Sequence, residues 1–304
     1  NSTAGRIIPS AFPVDLAIVQ SRSAAGDTNA VADRLRGANV LLNTPNNHAE
    51  LTNNTDSITG FDFMDGIEIG TDTRTNWSSG TYVSWMWKRA PGYFDAVAYT
   101  GNGTAGRTVS HNLGVAPEMM WVKSRTEVKN WIVYHKDLTD NTKYLELNDT
   151  DAEKTATTAW NSTSPTETVF TVGTATSVNN SSQDYIAYLF ASLDGVSKCG
   201  GYTGNGAGEY VTGGSSQTID CGFTSGARFV LIKSTSIASN DWHVWDTTRG
   251  IISGNDPHLS LNTTAAEVTS DDSVDANSSG FTVNQVAATN VNASGETYIF
   301  YAIA

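Results

Sequence analysis

Two cysteines, Cys199 and Cys221, are all that the 304 residues contain. That is too few for a disulfide framework or a four-cysteine zinc site. Basic residues are also scarce: 18 Lys and Arg stand against 31 Asp and Glu, a net charge of −13. A nucleic-acid partner, whose phosphates demand clustered Lys and Arg, is therefore not expected. Charged residues make up only 16% and hydrophobic ones 39%, which argues against a disordered acidic chain. No apolar run approaches the ~18 residues of a spanning helix, so no membrane insertion is expected. The opening Asn1-Ser2-Thr3-Ala4-Gly5-Arg6 shows neither the charged nor the apolar region of a signal peptide. Catalytic motifs are missing too: there is no Gly-x-Ser-x-Gly and no His-Glu-x-x-His, and the glycine-rich stretch 200–214 lacks the Lys-Ser/Thr of a phosphate loop.

What is abundant is Gly, Ser, Thr and Asn, which favour turns over helix interiors, together with eight Trp, eleven Tyr and ten Phe. The chain also repeats itself. Ala98-Tyr99-Thr100-Gly101-Asn102-Gly103 recurs as Gly201-Tyr202-Thr203-Gly204-Asn205-Gly206, and Thr3-Ala4-Gly5-Arg6 as Thr104-Ala105-Gly106-Arg107. Ala49-Glu50, Ala152-Glu153 and Ala266-Glu267 form another set, and Tyr82-Val83, Tyr185-Ile186 and Tyr298-Ile299 begin matching endings. Those tyrosines lie 103 and 113 residues apart, while Asn43, Asn148 and Asn262 lie 105 and 114 apart. Such a period is a whole domain rather than a solenoid unit of ~20–50 residues. It predicts three homologous domains: 1–100, divergent, then 101–203 and 204–304. Asn1 falls where the third residue of a Thr-Gly-Asn joint would stand, which reads as a segment of a longer repeating protein.

Within a repeat, short apolar runs such as 118–124, 131–134, 169–172, 185–191, 228–234 and 242–245 alternate with polar clusters, and Ile186-Tyr188-Phe190 and Val83-Trp85-Trp87 follow period two. Only 29–35 suggests a helical turn. The prediction is all-β: three tandem β-sandwich domains of jelly-roll or lectin-like type.

The order Tyr-Thr-Gly-Asn-Gly at 99–103, His-Asn-Leu-Gly-Val-Ala-Pro-Glu-Met-Met-Trp-Val-Lys-Ser-Arg at 111–125, Asn-Trp-Ile-Val-Tyr-His-Lys at 130–136, and the ending Tyr-Ile-Ala-Tyr-Leu-Phe-Ala at 185–191 resembles tandem ~100-residue modules in tail-fibre-like and other virion proteins of marine bacteriophages. The resemblance covers essentially the whole chain. It is weakest in the first repeat, where Gln20 stands in place of Lys123 and Lys233. It implies a virion-surface, extracellular location and a lectin-like sandwich, and it names no catalytic residue.

Several residue sets bear on chemistry. His111, His135 and His243 do not share a repeat position, so no catalytic or metal histidine is expected. Asp137, Glu153, Asp246 and Glu267 are the carboxylates a glycosidase pair would draw on, ~5–9 Å apart. However, Asp33-x-x-Arg36-Gly37 and Asp246-x-x-Arg249-Gly250 read as an ion pair pinning a loop. Asp271, Asp272 and Asp275, with 148–151 and 255–256, are oxygen-rich loops of the kind calcium accepts, without EF-hand spacing. Otherwise no cofactor is expected. Cys199 and Cys221 could pair if the intervening segment folds back to bring their Cα atoms within ~7 Å; a reducing cytoplasm argues the other way.

Sugar contacts use exposed aromatic faces beside amides and hydroxyls. Trp85, Trp87 and Trp121 read as core. Trp77 and Trp160, each in a polar loop, are the leading contact candidates, ahead of Trp131 and Trp242 at a turn entering a strand. The expectation is a non-enzymatic bacteriophage virion-surface protein, a fibre or head-surface appendage, structural and adhesive to host glycans. Its partners would be other virion proteins and further copies of itself in a symmetric oligomer, a trimer foremost. The alternative is a polysaccharide-degrading, glycoside-hydrolase-type domain of a phage fibre or spike.

Overall fold

A computed structural model describes residues 3–23, 26–208 and 216–304. The strands pair within three consecutive segments of chain. The first holds β1 (Arg6–Pro9), β2 (Leu16–Ser21), β3 (Ala30–Asp33), β4 (Ile58–Gly60), β5 (Gly66–Ile69), the short helix α1 (Thr73–Asn76) and β6 (Tyr82–Trp87). The second holds β7 (Phe94–Thr100), β8 (Arg107–Ser110), β9 (Met119–Ser124), β10 (Ile132–His135), β11 (Lys143–Glu146), β12 (Lys154–Thr155), α2 (Thr157–Trp160), β13 (Val169–Val172), α3 (Thr176–Asn179) and β14 (Asp184–Phe190). The third holds β15 (Ser197–Thr203), β16 (Gln217–Asp220), β17 (Phe229–Ser234), β18 (His243–Asp246), β19 (Leu259–Ser260), β20 (Val274–Asn277), β21 (Gly280–Val283) and β22 (Thr297–Ile303).

The fold is all-β, built of antiparallel sheets. Each segment contributes an inner sheet, β3-β2-β6, β12-β11-β10-β9-β14-β7 or β15-β22-β17-β18-β19, and an outer sheet, β1-β5-β4, β13-β8 or β16-β21-β20, which is the smaller of the two in the second and third segments. Pairing moves two strands relative to the repeat boundaries read from sequence. β7 pairs along its length with β14, and β15 with β22. Phe94–Thr100 and Ser197–Thr203 therefore open the second and third segments, where the sequence reading had them closing the first and second. Residues 30–33, in the stretch expected to form a helical turn, are strand β3. The β-branched Val31 between two alanines pairs with Ile18 instead.

Between inner and outer sheet each segment buries its own core, for example Val109, Phe170, Val172, Tyr185 and Leu189 in the second. The opposite faces of the three inner sheets are also buried, against one another. Leu16, Ile18, Trp85 and Trp87 from the first segment share one apolar cluster with Trp121, Ile186, Tyr188 and Phe190 from the second and Phe229, Leu231, Ile299 and Tyr301 from the third. The inner sheets are thus covered on both faces. That is why β2, β9 and β17 are buried at every residue and read in sequence as continuous apolar runs rather than as clean alternation.

The segments meet head to tail. The Glu50 N–H donates to the Arg125 carbonyl (2.8 Å), Glu153 to Thr235 (2.8 Å) and Glu267 to Arg22 (2.9 Å). A second set runs beside it: Lys129 N–H to Asn47 O, Asn240 to Thr150 and Gly26 to Thr264. The first segment contacts the second, the second the third, and the third returns to the first. A head-to-tail contact that returns on itself makes a ring, and here it closes inside one chain. The repeated Ala-Glu dipeptide marks these seams.

Candidate functional site

The repeated tyrosine organises one end of each segment. The Tyr82 hydroxyl donates to the Thr73 carbonyl (2.5 Å) and accepts from Trp77 N–H (2.7 Å). Tyr185 does the same with Thr176 and Asn180 (2.7 and 2.8 Å), and Tyr298 with Asn290 and Ala293 (2.9 and 3.0 Å). Beside it, a buried amide ties the turn to the segment's opening residues: Asn76 Nδ2 donates to Thr3 O, Asn179 Nδ2 to Thr104 O and Asn292 Nδ2 to Ala207 O. Trp77 therefore stands where the other segments carry Asn180 and Ala293. It is 45% exposed.

The other tryptophan candidates, Trp160, Trp131 and Trp242, are buried rather than exposed. Trp160 is wholly buried, and so cannot stack on a ligand. The turn α2 tucks it under the outer sheet, edge-on to Tyr134 at 5.8 Å, and the left-handed Asn161 and Ser162 behind it (φ 53 and 52) take the chain back out into the polar loop that suggested exposure. Trp131 and Trp242 are seam residues, also buried. Their indole N–H groups donate to Asn43 O (2.9 Å) and Glu146 O (3.0 Å) of the preceding segment. Sequence could place them at a strand entrance but had no sign of the neighbouring segment that covers them.

The carboxylates that a glycosidase pair would draw on are engaged. Asp33 and Arg36 form a buried pair (2.5 Å), and Asp246 and Arg249 its counterpart (2.6 Å); Arg36 also donates to Val31 O and Arg249 to Val244 O. Burial works against the Asp33 carboxylate, but the Arg36 charge and hydrogen bonds from Tyr188 and Arg36 outweigh it and hold its pKa below the usual range. Each arginine also faces a seam glutamate, Glu50 at 3.6 Å or Glu267 at 3.4 Å, which in turn pairs with Arg125 or Arg22 across the seam. Glu153 accepts from the Thr139 hydroxyl, and Asp137 lies 2.7 Å from Lys136.

The repeat position of Gln20, Lys123 and Lys233 is a seam position too. Gln20 Nε2 donates to Ser260 O, and Lys233 Nζ to Thr150 O and Asn240 O. Lys123 Nζ donates to Ser124 O. Burial pushes the Lys123 amine down to about 7, with help from Arg36, and Lys233 to about 8.

Among the acidic loops, Asp256, Asp272 and Asp275 bring oxygens within 4.8 Å of one another, a spacing one cation bonded at 2.3–2.6 Å would span. Asp271, named with them from sequence, is not in the group; it faces His258 at 3.9 Å. Asp256 accepts from Ile252 and Val274 N–H, and Asn284 Nδ2 bridges Asp272 (3.1 Å) and Asp275 (2.8 Å). Burial, then the charges of Asp275 and Asp272, outweigh those backbone bonds and push the Asp256 carboxyl up to about 7. A proton on Asp256 therefore relieves the repulsion near neutrality.

Cys199 and Cys221 are free, buried thiols. Cys199 faces the shared central core and Cys221 the outer core of the third segment, so the inner sheet separates the two side chains. Burial raises both, Cys221 to about 12, which suppresses thiolate chemistry.

Two grooves flank β6. One, about 240 Å³, is lined by Trp85, Trp87, Tyr93, Phe229, Asp246 and Thr248 among others; the other, about 460 Å³, by Arg6, Ile8, Tyr82, Ser84, Met86 and Thr248 among others.

Residues 1–304 match one family model, described as a domain of unknown function, DUF7483. No curated protein and no solved structure matches the chain.

Proposed function

The chain belongs to this DUF7483 family along its whole length, and we propose that it is a non-catalytic display module of a bacteriophage virion surface, in a fibre or head-surface appendage. The observation that carries the reading is the ring closed by the Glu50, Glu153 and Glu267 seams. It turns three repeats into one rigid body whose polar chemistry is spent on holding itself together. Asp33, Asp246, Glu50 and Glu267, four buried or half-buried carboxylates, sit in ion pairs. A glycosidase needs a general acid and a nucleophile or base free to face substrate. Loops on a rigid scaffold are where binding residues concentrate, and Trp77, beside the exposed Ser78 and Ser79, offers an exposed ring with polar neighbours for a glycan of the host surface. Attachment to other virion proteins, self-association into a symmetric particle component and an extracellular setting belong to the same proposal. One such aromatic contact is weak, and many copies would bind through avidity.

The test compares the wild-type chain with Trp77→Ala on a glycan array, alongside reducing-sugar release from the same glycans. Binding that falls with Trp77→Ala and no sugar release supports the proposal. Release that is lost in Asp137→Asn or Glu153→Gln, with the fold intact, replaces it with the hydrolase reading.

A further inference from the structure

β14 and β22 each lie between two strands: β14 between β9 and β7, β22 between β17 and β15. Among the described residues their counterpart β6 pairs with β2 alone. Arg22 N–H donates to Thr81 O, so in the alternating antiparallel ladder residues 83, 85 and 87 face β2, and the backbone groups of Tyr82, Ser84 and Met86 face the open side. The matching residues Tyr185, Ala187 and Leu189 pair with Tyr99, Val97 and Asp95 of β7.

The other two segments show what belongs there. Tyr99 stacks on Tyr185 at 5.2 Å, and Tyr202 on Tyr298 at 4.9 Å. Their hydroxyls donate to Val178 O and Val291 O. Arg107 covers the Tyr99 ring and donates to Thr100 O. In the first segment Tyr82 is only partly buried, whereas Tyr185 and Tyr298 are closed over. Arg6, the counterpart of Arg107, lines the larger groove together with Tyr82 and Thr75. On the other face, Phe94 packs on Phe190 at 5.2 Å and Tyr188 at 6.4 Å; at those places the smaller groove has Trp87 and Trp85 in its wall, both buried and covered by Phe229. Gly201 of β15 lies against Asp137, and Thr248, two residues after Asp246 as Asp137 is two after His135, lines both grooves.

We infer that the open edge of β6 is a strand-acceptor site that takes one antiparallel strand of the β7/β15 kind. The occupant has a Tyr to stack on Tyr82, a small or apolar residue pattern such as Phe-x-Ala facing Trp87 and Trp85, and a Tyr-Thr-Gly end. Main-chain bonds to Tyr82, Ser84 and Met86 supply the affinity, and the two grooves read the alternate side chains. Its direction of entry follows from the joints. Thr104 O and Ala207 O, which follow β7 and β15, are held by Asn179 and Asn292, and Thr3 O is held by Asn76 in the same way. The strand therefore belongs to a segment that runs into residue 3 from its N-terminal side.

The experiment places the sequence of residues 94–101 ahead of Asn1 of the 304-residue chain, which creates a Thr-Gly-Asn joint like those at 100–102 and 203–205. A control fusion carries the same segment with its Phe, first Ala and Tyr changed to Asp. The expected result is a melting temperature about 5 °C or more above that of the unfused chain. Slowed hydrogen exchange at the Ser84 and Met86 amides should accompany it, with neither change in the control. Equal melting and exchange in both fusions would overturn the inference. So would an unfused chain that light scattering shows to be dimeric with Ser84 and Met86 already protected, which would assign the edge to a second copy.

Discussion

The Tyr188 hydroxyl, on β14 of the second segment, donates at 2.7 Å to Asp33 Oδ2, at the end of β3 in the first. The Trp85 indole N–H, at the same repeat position, donates at 3.0 Å to Asp246 Oδ2 in the third. In the remaining pairing His135 occupies the aspartate's place and Leu138 the arginine's, so the buried polar link between neighbours is made twice around the ring. Tyr188→Phe should cost about 1.5–3 kcal/mol, the net loss of one hydrogen bond to a charged group. Asp33→Ala should cost about 3–5 kcal/mol, because it strands the buried Arg36 charge. Urea unfolding of the two variants measures both, and equal small effects would show that the pair is not what holds this seam.

Tryptophan substitutions should separate seam from surface. Trp242→Ala removes a buried indole and its bond to Glu146 O and should destabilise by about 3–5 kcal/mol. Trp77→Ala, on an exposed ring, should stay within about 0.5 kcal/mol. Thermal melts of the pair decide it, and only the Trp77 variant should alter ligand binding.

The two seam lysines give stability a specific pH slope. Their amines titrate at about 7 and about 8 in the folded chain and near 10.4 when unfolded. Between those values the unfolded chain holds more protons, so stability rises with pH from about 7 to about 10 and is lost as pH falls through the folded values. The slope approaches about 1.4 kcal/mol per pH unit for each lysine. Lys123→Gln, which copies Gln20, should remove one lysine's share of it. Denaturant titrations at several pH values read this directly, and an unchanged slope would show that Lys123 stays charged in the fold.

Asp256 acts with the opposite sign. Its folded pKa of about 7 lies above the unfolded value near 3.9, so its contribution is fully present below pH 4 and is lost as pH rises through 7. Asp256→Asn should flatten that loss. Calcium is the direct competitor of the proton. A rise in melting temperature with calcium at pH 7.5 that disappears in Asp256→Asn marks a cation centre, whereas an unchanged melt leaves a turn held by a proton.

The repeat signals in the sequence located real geometry. Tyr82, Tyr185 and Tyr298 lie in equivalent strands, with Val83, Ile186 and Ile299 facing the shared core. The Asp-x-x-Arg elements are the ion pairs their spacing suggested. These features were legible because they are local: a period, a turn residue and an i, i+3 pair are properties of neighbouring positions. The functional candidates fared differently. Exposure was inferred from the polarity of a residue's own loop, which was right for Trp77 and wrong for Trp160, where one turn of helix swings the ring under a sheet.

The sequence by itself determined the all-β character, the repeated strands and the turns between them, since alternation and turn chemistry are written residue by residue. Only the tertiary structure decided that the three inner sheets turn a second apolar face inward to one core, that Ala-Glu marks a seam, that Trp131 and Trp242 belong to their neighbours, and that β6 keeps an open edge. Each of these depends on which distant segment arrives against a residue. The pattern along a strand says that a face is apolar, but the partner that covers it is chosen by the closure of the whole ring.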